Sequence, residues 1–375
     1  MRIVIDISQA QYAGTGVARY VNELIPHIID RARSDDTITL FYNSRHVRYA
    51  ELGLAKKLAQ QRKERPYRVV TSRLPEKVLH VVWNRLHMFP IELWVGKHDI
   101  FFYSDWFTPP TQARRFTTVH DLVFRRFSET VDQYVRSTQE KRLQYLVNSN
   151  PPATLFVDSQ ATHKDVVDYY GVDAARVPVV YPGITVREQS DHTIRTVVQQ
   201  YQLTQGKYCL AVGKREPRKN LDRLVDAFSR CKHRDYALVI VGPKGWQQND
   251  ETRPSFVRQI GFVDDDTLYA LYQGAACFAM PSLYEGFGFP LGEALALGCP
   301  SLASRTSSLL EIGGSVVEYC DPVDSASITK GLDVLMGEGT SARRKRIEAG
   351  KKQVAQFTWE QTADKILSYF HESTS

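Results

Sequence analysis

Short apolar runs alternate with longer segments of helical periodicity along the first half of the chain. The runs are RIVID, TITLF, RVVT, DIFF, FTTV and TLFVD, at residues 2–6, 37–41, 68–71, 99–102, 116–119 and 154–158. Amphipathic patterns separate most of them, as at residues 17–32 and 131–149. Short strands that alternate with helices predict an α/β fold with a parallel sheet and helices on both faces.

The same alternation begins again in the second half. Its apolar runs are YCLAV, ALVIV, CFAM and SLA, at residues 208–212, 237–241, 277–280 and 301–303. The pattern therefore predicts two doubly wound domains in series, over residues 1–185 and 186–356. Residues 357–375 predict a final amphipathic helix that crosses back towards the first domain. Thr358 and Gln361 form a capping-box signature at its start.

Composition indicates a globular cytoplasmic protein. The chain has 375 residues, 43% hydrophobic and 24% charged, which is ordinary for two folded domains. No run of about 18 apolar residues predicts a membrane span, and we expect no export signal. The five cysteines form no CxxC pair, which is typical of reduced thiols in the cytoplasm.

The positive charge is concentrated in residues 54–86, which we call the basic segment. It holds nine basic and two acidic side chains, so it carries +7 while the rest of the chain carries −1. A solvated surface and a surface facing anionic lipid both fit this charge. Four apolar residues lie at helical spacing in it: Leu79, Val82, Trp83 and Leu86. Together with the charge, these apolar residues predict contact with the inner face of the cytoplasmic membrane. The alternative is that Trp83 and its neighbours pack into the first domain.

Two motifs follow strands of the first half, at the sheet edge where ligands bind in α/β folds. AGTGVARYVNEL follows the first strand, and its glycines 14 and 16 would let backbone N–H groups approach an anion at a helix start. His120 follows the FTTV strand. An ordinary tight turn and a structural histidine are the alternatives.

The motif VGKREPRKNLDRL concentrates cations before a helix of the second half. Lys214, Arg215, Arg218 and Lys219 lie in the turn that precedes this helix. Cations are disfavoured at a helix N-terminus because the helix dipole is positive there. A bound diphosphate would reverse the local field, so the motif predicts a diphosphate site; a solvated surface is the alternative.

The motif PSLYEGFGFPLGEALALG places two carboxylates eight positions apart. Pro290 predicts a helix over about 290–297, with Glu293 in its first turn. Glu285 precedes it in a loop that contains Gly286 and Gly288. Each carboxylate can accept hydrogen bonds from vicinal hydroxyls of a long polar ligand; a capped helix with surface acids is the alternative.

The run Asp264–Asp266 could hold a metal ion, but helix caps and first-turn acids explain it without one. We therefore predict that the protein needs no metal.

Together these blocks resemble the retaining glycosyltransferases of family 4, whose GT-B fold has two Rossmann-like domains facing across a cleft. The resemblance covers nearly the whole chain, and EGFGFPLGE matches the family's E-x7-E signature in full. The order of the blocks is most similar to bacterial mannosyltransferase-like members that build lipopolysaccharide and exopolysaccharide.

The resemblance implies roles for individual residues. Glu285 would contact the donor sugar, Glu293 the ribose, and His120 the sugar hydroxyls. Lys219 would bind the diphosphate together with Lys214, Arg215 or Arg218, near the turn at Gly16. The remaining expected donor contacts are Gly286, Phe287 and Gly288, with Phe262 and Val263 at the base. His120, Glu285 and Lys219 are the expected catalytic residues.

The implied reaction transfers a hexose, mannose from GDP-mannose, to a saccharide or lipid-linked saccharide with retention of configuration. It needs a nucleotide sugar as substrate and neither a cofactor nor nucleic acid. A UDP-sugar or GDP-deoxyhexose transferase and a non-catalytic sugar-nucleotide-binding protein are the alternatives. An oxidoreductase is disfavoured because the dinucleotide-binding fingerprint is incomplete. A glycoside hydrolase is disfavoured because it would have no diphosphate for the cations of the second half to bind.

Overall fold

A computed structural model describes residues 1–12, 14–61, 65–243 and 254–372. The chain forms two compact units, unit 1 (Met1–Gly183 and Phe357–Ser375) and unit 2 (Ile184–Gln356). Three members of the basic segment, Arg62, Lys63 and Glu64, lie outside the described residues, as does Ala13 of the first glycine motif.

Unit 1 contains a six-stranded parallel sheet. Its strands are β1 (Arg2–Asp6), β2 (Thr37–Asn43), β3 (Tyr67–Ser72), β4 (Ile100–Tyr103), β5 (Arg114–Val119) and β6 (Thr154–Val157). The strand order is β3-β2-β1-β4-β5-β6, which is the order of a doubly wound Rossmann sheet. Val119 pairs with Val157 across β5 and β6. All six strands follow the predicted apolar runs.

Helices connect these strands. They are α1 (Gly16–Arg31), α2 (Gly53–Gln61), α3 (Glu76–Leu79), α4 (Glu92–Val95), α5 (Val123–Arg126), α6 (Gln133–Asn148) and α7 (Gln160–Tyr170). Thr15 caps α1 by accepting a hydrogen bond from the backbone N–H of Ala18 (3.2 Å), which satisfies one donor of the first turn. A π-helical turn, His80–Arg85, continues α3 directly.

The apolar residues predicted to contact a membrane belong mainly to the core. Leu79 and Trp83 are fully buried, and Val82 packs against the same core. The Trp83 ring makes edge contacts with Trp94 and Phe107 at centroid distances of 5.5 and 6.1 Å. The prediction was wrong for Leu79 and Trp83 because their i, i+4 spacing follows the buried face of the helix.

Unit 2 repeats the same sheet topology. Its strands are β7 (Tyr208–Val212), β8 (Ala237–Val241), β9 (Val257–Ile260), β10 (Cys277–Met280), β11 (Ser301–Ser304) and β12 (Glu318–Cys320). The order β12-β11-β10-β7-β8-β9 is again that of a Rossmann sheet. The predicted α/β class with two doubly wound sheets is confirmed, although the sequence pattern did not reveal β9 and β12. Both are edge strands of three or four residues.

The helices of unit 2 cover its sheet. They are α8 (Asp191–Gln200), α9 (Leu221–Ser229), α10 (Asp265–Gly274), α11 (Phe289–Ala296), α12 (Leu309–Gly313), α13 (Ser325–Met336) and α14 (Thr340–Val354). The five cysteines, Cys209, Cys231, Cys277, Cys299 and Cys320, are all buried free thiols of this unit.

The last helix, α15 (Trp359–Glu372), packs against α1 within unit 1. Phe370 is fully buried, and its ring lies 4.7 Å from the Phe116 ring and 5.8 Å from the Phe102 ring. The helix therefore contributes to the aromatic core of unit 1. Within the described ranges, no helix is both long and apolar enough to cross a membrane.

Candidate functional site

Polar side chains follow four neighbouring strands of unit 1 at the carboxyl edge of its sheet. Asp6 ends β1, Ser104 follows β4, His120 follows β5 and Asp158 follows β6. Because parallel strands end at the same edge, this arrangement brings together residues that lie up to 152 positions apart.

His120 and Asp158 form a buried pair at this edge. The His120 Nδ1 atom lies 2.7 Å from Asp158 Oδ2, and the side chains are 19% and 3% exposed. The ring of Tyr20 contacts the His120 ring edge-on at a centroid distance of 4.7 Å. The hydroxyl of Tyr20 is 3.1 Å from Thr118 Oγ1. The imidazole is therefore fixed both by its Nδ1 atom and by its ring.

The surroundings of His120 favour its charged form. Burial lowers the pKa of His120, but the carboxylates of Asp158, Asp105 and Asp121 outweigh this effect and raise the pKa above its ordinary value. The other Asp158 oxygen, Oδ1, is buried and has no hydrogen-bond partner among the residues that the structure describes. An unpaired buried acceptor is costly to stability, which indicates a positioning role for this carboxylate.

A second buried carboxylate lies beside this pair. Asp6 Oδ1 accepts hydrogen bonds from the backbone N–H and the hydroxyl of Ser8, and Asp6 Oδ2 accepts one from Ser104 Oγ (2.8 Å). Asp6, Ser104, Asp105 and His120 line a cavity of about 30 Å³. Sequence reasoning missed Asp6, Ser104 and Asp158, although the final residue of the TLFVD run was a usable signal for Asp158.

Gly16 is the first residue of α1. A Cβ atom at this position would meet no protein atom within 4 Å, so internal packing does not require glycine there. Gly14 has a φ of 83°, a conformation that side chains rarely adopt. The predicted approach of an anion to the N-terminus of α1 stays a prediction.

In unit 2, two of the predicted cations and one predicted carboxylate meet directly. Lys219 Nζ lies 2.7 Å from Glu285 Oε1, and Arg218 Nη1 lies 2.8 Å from Glu285 Oε2. All three side chains are at least 83% buried. Burial alone would raise the pKa of Glu285, but Lys219 and Arg218 hold it at about 2. The carboxylate is therefore charged at neutral pH.

The other two cations of the turn have different partners. Lys214 lies 3.6 Å from Glu216, and Arg215 lies 2.7 Å from Asp222. Of the three candidates for the neighbour of Lys219, the structure therefore places Arg218 beside it.

The backbone holds the two motifs of unit 2 against each other. Arg218 and Lys219 lie in a 3₁₀ turn that precedes α9, and the carbonyl of Arg218 accepts a hydrogen bond from the N–H of Leu283 (2.7 Å). Asn220 follows with a φ of 58°, and its amide donates to the carbonyls of Pro281 and Pro322. On the Glu285 side, the N–H of Glu285 donates to Ser307 Oγ and its carbonyl accepts from Ser308 Oγ.

Glu293 is buried in α11, with 2% of its surface exposed. The helix begins at Phe289 rather than at Pro290, so Glu293 is its fifth residue and not part of the first turn. The prediction was wrong in this detail because Gly288, with a φ of 105°, serves as the N-cap. Gly286 and Phe287 lie in the preceding loop, and the Phe287 side chain is buried.

The residues expected near the base lie between β9 and α10. Phe262 is 71% exposed, an unusual state for a phenylalanine, and Val263 is half-buried. Asp264 caps α10 by accepting a hydrogen bond from the N–H of Thr267 (2.8 Å), and Asp266 pairs with Arg187. Within the described residues, no three His, Cys, Asp or Glu side chains lie close enough together to hold a metal ion.

A wider depression of about 540 Å³ lies at the other end of α9. Arg230, Lys232, His233 and Lys330 line it. None of the predicted site residues belongs to this depression, so we place the candidate sites at the carboxyl edges of the two sheets.

Comparisons with known proteins connect these features to a family. Residues 195–353 match the family model of the Glycosyl transferases group 1 domain, which includes both motifs around Lys219 and Glu285. The chain is 25% identical to the O-antigen chain mannosyltransferase B of Escherichia coli, over 99% of each chain. It is 28% identical to the serotype-specific mannosyltransferase WbdA of the same species, over 58% of this chain and 28% of the relative.

Solved structures are similar over the full length. HepE from Anabaena, solved in complex with UDP and glucose, has a TM-score of 0.69 at 17% identity and covers 100% of both chains. WaaG, a glycosyltransferase involved in lipopolysaccharide biosynthesis, has a TM-score of 0.60 at 14% identity over 99% of each chain. At these identities the likeness establishes the fold. The predicted resemblance is thus confirmed: the chain has the GT-B fold, is similar over its full length to a bacterial glycosyltransferase, and contains a group 1 glycosyl transferase domain within its second unit.

Proposed function

We propose that the chain transfers mannose from GDP-mannose to a saccharide or lipid-linked saccharide acceptor in the synthesis of a cell-surface polysaccharide. The transfer retains the configuration of the anomeric carbon. Full-length similarity to an O-antigen mannosyltransferase supports this assignment. The main structural support for the proposal is the contact of Lys219 and Arg218 with Glu285. It places the proposed diphosphate-binding cations and the proposed sugar-binding carboxylate in one buried cluster.

The chemistry of this cluster suggests an exchange of partners. Glu285 pairs with both Lys219 and Arg218 in this structure, and Arg218 also pairs with Glu216. A donor diphosphate would compete with these carboxylates for the same cations. Once the cations bind the diphosphate, the oxygens of Glu285 become available to accept hydrogen bonds from sugar hydroxyls. Glu293, one turn into α11, would hold the ribose.

The bond changes follow from the chemistry of the donor. The bond between the anomeric carbon and the diphosphate oxygen breaks, and a bond to the acceptor oxygen forms on the same face. The acceptor proton passes to the departing diphosphate oxygen. Lys219 and Arg218 would stabilise the charge that develops on this leaving group. We assign no protein nucleophile and no metal to the reaction.

His120 has the chemistry to orient a sugar hydroxyl. Its Nδ1 atom is engaged by Asp158, so Nε2 is the ring nitrogen that can contact a ligand. In the charged form that the neighbouring carboxylates favour, this nitrogen donates a hydrogen bond. We therefore propose His120 as a donor to the transferring sugar.

The proposal includes a location. We place the enzyme in the cytoplasm, with the basic segment at the inner face of the cytoplasmic membrane. The charge of the segment supports this contact at roughly 1 kcal/mol for each basic residue near an anionic surface. Burial of Leu79 and Trp83 removes these two residues from the contact.

A panel of donors tests the function. GDP-mannose, a GDP-deoxyhexose, UDP-glucose and NADH are each mixed with the protein, and both the thermal unfolding midpoint and the release of nucleoside diphosphate are measured. We expect GDP-mannose to give the largest stabilisation and to release GDP when an acceptor is present. The anomeric proton signals of product and donor in NMR then report retention.

Each of the other outcomes identifies an alternative. Stabilisation and turnover with UDP-glucose or the GDP-deoxyhexose would replace the proposed donor. Stabilisation by sugar nucleotides without turnover on any acceptor would indicate a binding protein. Stabilisation by NADH alone would contradict the transferase function.

A further inference from the structure

Exposed apolar side chains are concentrated in one stretch of unit 1. Of the thirteen large apolar or aromatic side chains that are exposed in the described part of the chain, six lie within residues 78–93. They are Val78, Val81, Leu86, Met88, Phe89 and Leu93, with exposed fractions between 44% and 66%. Single exposed apolar residues are common, but such a concentration marks an interaction surface.

The first part of this stretch separates a buried face from an exposed one. Leu79 and Trp83 face the core, whereas Val78 and Val81 lie three positions apart on the exposed side of the same helical segment. Val78 and Val81 thus lie on the solvent-exposed face of the helical segment, while Leu79 and Trp83 on its other face pack into the core.

The second part, residues 86–93, forms what we call the apolar projection. His87 and Phe89 have φ values of 48° and 59°, a left-handed conformation that is uncommon outside glycine. Three hydrogen bonds fix this turn: Leu86 N to Val81 O (3.0 Å), Met88 N to Val82 O (2.9 Å) and Trp83 Nε1 to Phe89 O (3.0 Å).

The left-handed turn is anchored to the protein, but the side chains of Met88 and Phe89 in it stay exposed. The His87 ring stacks on Tyr145 at a centroid distance of 3.8 Å, which anchors the turn to α6. The side chains of Met88 and Phe89 are nevertheless 50% and 53% exposed. Non-glycine residues held in such conformations concentrate at functional sites. The turn therefore holds two apolar side chains in a fixed, outward position.

Cations flank the projection, and the nearby carboxylates are engaged. Lys77, Arg85 and Lys97 are exposed. Glu76 is hydrogen-bonded to Tyr12, and Glu92 accepts hydrogen bonds from Thr111 and Gln112. An apolar tip beside basic side chains complements a surface with anionic head groups above an apolar interior.

We propose that the apolar projection inserts into the boundary between head groups and acyl chains of an anionic membrane, with Lys77, Arg85 and Lys97 at the head groups. The inference builds on the proposed membrane contact of the basic segment and identifies different residues as the inserting ones. Its test uses no sugar donor, so it can fail while the proposed transfer reaction stands.

Vesicle co-sedimentation compares the wild-type protein with the double variant Met88→Ser/Leu93→Ser. Vesicles contain either phosphatidylcholine alone or phosphatidylcholine with phosphatidylglycerol. We expect the wild-type protein to bind the anionic vesicles, and the variant to bind them at least about tenfold more weakly, because two apolar side chains no longer leave water.

A matched control removes apolar surface elsewhere. Val323→Ser/Val334→Ser changes two side chains of unit 2 that are 65% and 41% exposed, and it should bind the vesicles as the wild-type protein does. Circular dichroism and thermal unfolding of each variant verify the fold. Hydrogen exchange of residues 86–93 in the wild-type protein should slow when anionic vesicles are added.

A charge variant separates electrostatic attraction from insertion. Changing Lys56, Lys57, Arg62 and Lys63 to Gln should weaken vesicle binding at low salt, and the difference from the wild-type protein should disappear in high salt. The effect of Met88→Ser/Leu93→Ser should persist in high salt, because removal of apolar surface from water is not screened.

Several outcomes would overturn the inference. One is equal pelleting of the wild-type protein and a folded Met88→Ser/Leu93→Ser variant, or no pelleting of either. Another is a wild-type dimer in sedimentation velocity without lipid that the variant does not form, which would make a second copy of the chain the occupant of this surface.

Discussion

The two units place opposite electrostatic arrangements at equivalent edges of the same fold. In unit 2, one carboxylate, Glu285, is neutralised by two cations, Lys219 and Arg218, so both of its oxygens are engaged. In unit 1, carboxylates surround His120 and raise its pKa, and Asp158 Oδ1 has no hydrogen-bond partner among the described residues. The Rossmann topology is shared, so the difference lies in the residues that follow each strand.

This difference indicates which ligand groups suit each unit. A diphosphate can compete with Glu285 for the cations of unit 2 because it carries more negative charge, and the buried carboxylate must then gain other hydrogen bonds, since an unpaired buried charge is costly. Unit 1 presents carboxylates and an imidazole, which suit hydroxyl groups better than phosphates. This supports the proposal that a nucleotide diphosphate binds beside Lys219 and Arg218 in unit 2 and that His120 of unit 1 contacts hydroxyl groups of the sugar.

Lys219→Ala should have the largest effect on the difference between the two units. It removes one of the two cations that contact Glu285. We expect kcat/KM for the donor to fall by a factor that corresponds to a loss of about 2–4 kcal/mol of transition-state stabilisation. The measurement is nucleoside diphosphate release, with circular dichroism on the same sample.

Arg215→Ala is the control for this variant, because Arg215 pairs with Asp222 and not with Glu285. A Lys219→Ala protein that is unfolded would make the lysine structural, and equal losses in both variants would contradict the assignment of Lys219 to the diphosphate.

The next variants separate the two carboxylates of unit 2. Glu293→Ala should weaken donor affinity, because a ribose contact stabilises ground and transition states alike. Glu285→Ala should mainly lower kcat, because the contact proposed for Glu285 is with the transferring sugar. Steady-state kinetics with varied donor concentration distinguish the two effects, and an unchanged donor KM in Glu293→Ala would refute this division of roles.

A smaller effect is expected from Asp158→Asn in unit 1. The variant keeps the shape of the side chain but removes its charge, so the pKa of His120 should fall. A charged hydrogen bond is worth about 1.5–3 kcal/mol, so kcat should decrease by roughly 10- to 150-fold. NMR titration of the His120 ring protons measures the pKa directly. If the titration of His120 is unaffected, Asp158 does not control its protonation.

The sign of the pH dependence follows from the direction of this shift. The folded-state pKa of His120 lies above its ordinary value of 6.5. Its pairing with Asp158 therefore contributes stability that is fully present below 6.5 and is lost as the pH rises through the raised value. Activity that requires charged His120 should decline over the same range, and in Asp158→Asn this decline should begin at lower pH.

The smallest expected effect is that of metal removal. Asp264 and Asp266 are engaged as a helix cap and an ion-pair partner, so we expect full activity in excess EDTA. Loss of activity that Mg²⁺ or Mn²⁺ restores would contradict this prediction and direct attention to Asp264–Asp266.

The sequence was most informative where the relevant residues are close along the chain. The ten predicted apolar runs correspond to strands because each buries a continuous segment in a parallel sheet. The edge strands β9 and β12 escaped prediction, since short and partly exposed strands leave a weak apolar signal.

Residues joined only by the sheet were harder to predict. Asp158 meets His120 because Val119 pairs with Val157 across two neighbouring strands, 38 positions apart in the chain. Periodicity cannot reveal which strands become neighbours. The spacing of Leu79 and Trp83 likewise identified an apolar helical face but not whether it faces the core or a membrane.

The burial of all five thiols makes the native chain suitable for spectroscopic labelling. Burial raises the pKa of Cys231 and Cys320 to about 12, which leaves little thiolate at neutral pH to react with maleimide or methanethiosulfonate reagents. A single new cysteine in place of Met88 would then be the preferred point of attachment. A spin label or an environment-sensitive dye at that position could report its depth in a bilayer without removal of any native thiol.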